Sequence, residues 1–321
     1  MQRNRVLSLL VLVALVVLSV EGAWAGSPVT IGIIQYVEHP ALDAAREGFL
    51  AALEESGLHL GQDFEIDYQN AQGDASNLST ISDRFVGKKV DLVLAIATPA
   101  AQSIASKTAD IPILGTAITD YVVARLVDSN EVPGGNVTGT TDMNPIKEQI
   151  ELITTLVPDV KTIGILYTSS EDNSVLQAQI AKQAIQDLGL EYVEMTVSNS
   201  NEVQQAAQAI VKRIDALYTP TDNIIASAIP VIHGVAVQSK TPMIGGEEGQ
   251  VVSGALATLG INYFNLGHQT GLMAVRIIQE GAAPATMAIE GASTFDYAIN
   301  RQVAEDIGLE IPAHLQEFFI D

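Results

Sequence analysis

The feature that most constrains this chain is a phrase that occurs twice. Thr30-Ile31-Gly32-Ile33 returns 132 residues later as Thr162-Ile163-Gly164-Ile165, and each reads as a short buried strand running into a polar loop. Two further matches keep the same order at nearly the same offset. Asp91-Leu92-Val93-Leu94, followed by Thr98-Pro99, pairs with Asp215-Ala216-Leu217-Tyr218-Thr219-Pro220, and Ile111-Pro112-Ile113-Leu114-Gly115 pairs with Thr241-Pro242-Met243-Ile244-Gly245. Ordered self-similarity of this kind means two similar lobes. In both halves short apolar runs alternate with amphipathic ones, the β-α repetition of a parallel sheet. Two such lobes bring their strand-end loops face to face across a cleft, where small molecules are held.

The 321 residues, 47% of them hydrophobic, suffice for two cores of about 130 residues each. In the first half strands are expected over 29–36, 64–68, 90–95 and 113–114, with helices over 41–55, 75–86 and 99–107, the last capped by Thr98. The second half opens with a helix over 146–157. Strands at 162–167, 191–197 and 216–218 then alternate with helices at 175–188, 203–213 and 223–238.

The first residues carry Arg3 and Arg5, an apolar run over 6–20, and Ala23-Trp24-Ala25. That is the order of a cleaved secretory signal, with cleavage expected after Ala25. The run stops at Glu21, short of the roughly 18 to 20 residues of a membrane span. No cysteine is present, so disulfides, a thiol nucleophile and a lipid-accepting cysteine are all excluded, and a periplasmic, non-lipoprotein chain is expected. After cleavage 14 basic and 37 acidic residues remain, a net charge of −23 that disfavours nucleic acid and anionic membranes as partners.

The loops most able to hold a ligand follow strands. Tyr167-Thr168-Ser169-Ser170-Glu171-Asp172-Asn173-Ser174 crowds hydroxyls, a carboxamide and free N–H groups at a helix start, which suits an anion. Thr98-Pro99-Ala100-Ala101 is its counterpart in the first lobe. Acids at other strand ends, Glu38, Asp120, Asp222 and Glu247, are candidates for a ligand ammonium, which in a closed cleft requires a carboxylate. Tyr36, Tyr121, Tyr263 and Phe264 lie beside these loops. No nucleophile elbow, phosphate loop, metalloprotease helix or dinucleotide fingerprint occurs. His39, His59, His233, His268 and His314 have no metal-ligand spacing, and only His39 is placed at the cleft, as a surface or supporting group. No cofactor, metal or catalytic residue is expected.

Several stretches carry a family resemblance. They are Ile33-Ile34-Gln35-Tyr36-Val37-Glu38-His39-Pro40, Tyr68-Gln69-Asn70-Ala71-Gln72-Gly73-Asp74, Gly135-Asn136-Val137-Thr138-Gly139, Pro220-Thr221-Asp222-Asn223 and residues 254–263. Together with the loops above, they resemble the substrate-binding proteins of ABC importers of the tryptophan type, over 28–312. The resemblance implies a two-lobed, type I-like α/β periplasmic binding protein with three crossings between lobes, residues 26–141 and 259–285 forming one lobe and 142–258 and 286–321 the other. It implies that a helix over 266–280 covers the first lobe and that 295–299 completes the second. It also implies Thr98, Ala100, Asn173 and Ser174 on the ligand's carboxylate side and Glu38, Asp120, Asp222 and Asn262 on the ammonium side; Gln35, Tyr121, Glu171, Asn223 and Glu247 complete the expected site. Family members commonly have Asp-Pro where this chain has Asp120-Tyr121, and Asp where it has Asn262. The expected function is non-enzymatic capture of a small solute, an amino acid with an apolar or aromatic side chain, by a monomer serving a membrane permease and ATPase. The alternative is a sensor presenting its ligand to a membrane receptor.

Overall fold

The computed structural model describes residues 27–292 and 294–320, and the expected secretory segment lies outside them. From β1 (Val29–Gln35) the chain runs through α1 (Pro40–Glu55), β2 (Phe64–Asn70), α2 (Ala75–Lys88), β3 (Leu92–Ile96), α3 (Thr98–Ala105), β4 (Ile113–Ile118) and β5 (Val137–Thr141). It then crosses to α4 (Ile146–Leu156), β6 (Thr162–Thr168), α5 (Asp172–Asp187), β7 (Glu191–Val197), α6 (Ser200–Ile210) and β8 (Ala216–Thr219). The second lobe continues with α7 (Asn223–Ser227), α8 (Ile229–Ser239), β9 (Met243–Gly245), α9 (Glu248–Val252) and β10 (Ala257–Gly260). A second crossing leads to α10 (Tyr263–Glu280) and β11 (Glu290–Gly291), and a third to β12 (Asp296–Asn300), α11 (Arg301–Ile307) and β13 (Phe319–Ile320).

The first sheet has the order β11-β5-β4-β3-β1-β2 and is parallel throughout. The second has the order β13-β12-β10-β9-β8-β6-β7, with one antiparallel pair, β10 with β12. Helices cover both faces of such sheets, so their strands are apolar without alternation. β3 is buried at all five positions and β8 at all four.

The twice-written phrase has a packing reason in each lobe. A Cβ on Gly32 would lie 2.8 Å from the Phe85 ring of α2, and one on Gly164 would lie 3.0 Å from Ile210 of α6. In both sheets the glycine makes room for a bulky side chain from the following helical layer. Gly32→Val should therefore overpack the first lobe and cost about 1–3 kcal/mol. A urea titration checks this, and an unchanged midpoint would overturn it.

Several boundaries differ from those read in sequence. α3 begins at Thr98 with Ala97 as its N-cap, so Thr98 is not the cap, and Ala97 takes φ 84 and ψ 152, a region costly for a residue with a Cβ. The expected helix over 223–238 is interrupted at Ala228, two residues before Pro230, giving α7 and α8. Leu259 and Gly260 belong to the second sheet and Glu290 and Gly291 to the first. The second and third crossings thus fall after Gly260 and Gly291, later than 258/259 and 285/286. A two-residue strand such as β11 has too little pattern to be read. Helix α10 returns to lie on α1 so closely that a Cβ on Gly267 or Gly271 would meet the backbone of Ala45 or Phe49.

Candidate functional site

The carboxyl ends of the parallel strands of both lobes turn toward one another and enclose a cavity. The first lobe contributes His39, Leu42 and Ala117, and the second contributes Thr221, Asp222, Asn223, Ala226 and Glu247. Asp142 and Tyr263 enter from the first and second crossings. About 260 Å³ between these side chains is free of protein atoms, space open to solvent included. Ala117 reaches the cavity from an irregularity in β4, where the register against β5 shifts between Gly115 and Ile118 and Ala117 itself has φ 56.

The lobes are in contact around the cavity. Gln102 Nε2 donates to Asp172 Oδ2 at 2.9 Å, and Gln177 Nε2 donates to Thr119 Oγ1 at 3.2 Å. At the start of α9 a Cβ on Gly249 would lie 3.0 Å from Ala41 N and 3.1 Å from Pro40 Cβ, across the interlobe gap. Gly249→Val should hold the lobes apart and leave the radius of gyration with ligand larger than in the parent protein. Small-angle scattering decides, and equal radii for ligand-saturated variant and parent would overturn it.

Four carboxylates lie buried in this layer, and they divide into two kinds. Asp222 and Glu171 are satisfied within the second lobe. Asp222 Oδ2 accepts from Thr168 N at 2.5 Å, while Oδ1 accepts from Thr168 Oγ1 at 2.9 Å and Ile225 N at 2.8 Å. Glu171 Oε2 accepts from Asn223 Nδ2 at 2.5 Å and Oε1 from Ile224 N at 3.3 Å. Burial, and after it the Asp222 charge, push the Glu171 carboxyl up to about 8. Asp142 and Glu247 are instead half-satisfied. Asp142 Oδ2 accepts from Tyr263 Oη at 2.7 Å, and Glu247 Oε2 accepts from Gly249 N. Asp142 Oδ1 and Glu247 Oε1 are buried with no partner among the described residues. Burial raises Asp142 against the opposing hydroxyls of Tyr263 and Thr119, the latter near the carboxyl but making no hydrogen bond of normal geometry to Oδ1, and burial, then the neighbouring Glu248 and Asp142 charges, push Glu247 up to about 8. No described lysine or arginine lines the cavity. Thr98 Oγ1 and Asn173 Oδ1, in the first turns of α3 and α5, are likewise buried and unpaired.

Of the residues expected from sequence, Asp222, Asn223 and Glu247 line the cavity. Thr98, Ala100, Glu171, Asn173 and Ser174 are buried at strand or helix ends nearby. Asp222, expected on the ammonium side, has both oxygens engaged within the second lobe. Gln35 is occupied inside the first lobe, donating to Val37 O and Asp43 Oδ1 and accepting from Arg46. Tyr121 fills the space over Gly115 and Gly139 and donates to Thr140 O at 3.0 Å, so its bulk serves the lobe core and not the cavity. Asp120 accepts from Val123 N in a turn, Glu38 is exposed, and the exposed Asn262 caps α10 by accepting from Asn265 N. His39 is buried, not at the surface. Asp142 is not among the residues expected from sequence, although it directly follows β5 and carries the same signal as the other strand-end acids, an acid after a short extended segment.

Two α/β lobes joined by three crossings and closed over a cavity with unpaired polar atoms define a receptor that clasps a small solute. The chain belongs to the ABC transporter substrate binding protein family, which it matches over residues 30–317. Members of that family bind their substrates outside the cytoplasm, and among the described residues no helix is long and apolar enough to cross a membrane. The chain is 43% identical over 280 residues to a tyrosine-binding protein of Clostridioides difficile, covering 87% of this chain and 81% of that one. It superposes with a TM-score of 0.88 on an ABC domain from Streptococcus pneumonia in complex with L-Trp, at 39% identity over 92% of this chain and all of the other. On a ligand-free, open substrate-binding protein from Clostridium difficile the score is 0.69, at 42% identity over 91% of this chain and 99% of that one. In this chain the two lobes are in contact across the cleft.

Proposed function

We propose that the protein captures an aromatic L-amino acid and delivers it to the permease and ATPase of an ABC importer, as a monomer and without chemical change to the ligand. The observation that carries this reading is the pair of unpaired buried oxygens, Asp142 Oδ1 and Glu247 Oε1, in a cavity with no described lysine or arginine. Two carboxylates cannot stay ionised under cover without a cation, and an α-ammonium supplies one. The Thr98 hydroxyl and the opening turns of α3 and α5 offer donors for the carboxylate. Relatives that bind tyrosine and tryptophan support an aromatic side chain.

Cleavage after Ala25 would release a periplasmic protein that starts near Gly26 and lacks Trp24, the sole tryptophan. Sequencing of the exported protein tests that start, and a retained Met1 would refute it. In the tryptophan-free chain, bound L-tryptophan is read directly from its own emission. Calorimetry with L-tyrosine and L-tryptophan should give one site per chain. Binding of neither would end the reading.

A further inference from the structure

We infer that His39 is a specificity-determining residue that reads a hydrogen-bonding atom on the ligand's side chain, so that the site prefers a phenol or an indole to a plain phenyl ring. This rests on the amino-acid reading above. His39 lines the cavity beside Leu42 and Ala226, is 7% exposed, and has no hydrogen-bond partner for either ring nitrogen among the described residues. It occupies the N-cap position of α1, yet its side chain makes no cap bond. Backbone geometry therefore gives no reason for a polar ring here, where a residue that merely filled space would be apolar.

The ring is neutral. Burial lowers it to about 4, against the opposing effects of Asn223 and the Asp43 charge. Asn223 lies near enough to act on the ring but makes no hydrogen bond of normal geometry to it. The positive end of α1 also disfavours an imidazolium at this position. A neutral imidazole offers one N–H and one lone pair. A phenol can donate or accept, and an indole N–H can donate, so either satisfies one nitrogen, whereas a phenyl group leaves both buried and unpaired. Sites built to bond a substrate hydroxyl reject the analogue that lacks it far more strongly than apolar pockets reject a change of size.

The experiment is calorimetry of the full mature protein with L-tyrosine, L-tryptophan and L-phenylalanine. L-phenylalanine should bind at least about tenfold more weakly than the tighter of the other two, the consequence of leaving a buried polar group unpaired. His39→Leu should bring the three to within about twofold of one another, and His39→Gln, which keeps a donor and an acceptor, should restore part of the preference. Thermal melts of each variant establish that it is folded. Equal binding of all three ligands by the parent protein, or an undiminished preference in folded His39→Leu, overturns the inference and leaves the amino-acid reading standing. Binding of none of the three overturns both.

Discussion

Asp142→Asn should weaken amino-acid binding by about 2–5 kcal/mol, the loss measured when one partner of a desolvated charge pair is removed. The change keeps the shape of the side chain, and its oxygen can still accept from Tyr263 Oη, so the fold should be preserved. What disappears is the charge of a carboxylate whose Oδ1 has no partner among the described residues. Calorimetry with L-tyrosine or L-tryptophan reads the effect. An unchanged Kd would move the ammonium away from the first crossing.

Asp222→Asn is expected to act on stability, with a cost of about 1–3 kcal/mol. Its carboxylate joins the loop after β6 to the start of α7 through Thr168 N, Thr168 Oγ1 and Ile225 N. An amide in its place turns an N–H₂ toward one of these sets of donors and leaves buried groups unpaired, each worth about 1–3 kcal/mol. Urea denaturation should show the lower midpoint even without ligand. If affinity falls while the midpoint stays, Asp222 holds the ligand's ammonium after all, as its place in the sequence suggested.

These two aspartates illustrate what could be read before the structure. The repeated Thr-Ile-Gly-Ile phrase located both lobes, because a strand covered by helices on either side is written as a short apolar run, and two such runs in register are hard to mistake. Which end of each strand meets the cleft was also legible, since parallel β-α units place their loops consistently. Side-chain direction was not. Strands buried on both faces have no alternation to say whether Gln35 points to the cavity or to Arg46, and nothing in Asp120-Tyr121 distinguishes a pocket wall from a ring seated over Gly115 and Gly139. A carboxylate looks the same in sequence whether its oxygens are occupied, as in Asp222, or idle, as in Asp142. Only the positions of Thr168 N and Ile225 N separate the two.

The unpaired oxygen of Asp142 sits on the first crossing, and the tyrosine that steadies it sits on the second. When two bodies turn about a pivot, points near the axle hardly move while the rims swing widely. A ligand ammonium held there, as proposed above, would stay anchored through the first degrees of opening, while the Gln102–Asp172 contact between the lobes parts. On that reading the ammonium would be the last part of the ligand to be surrendered.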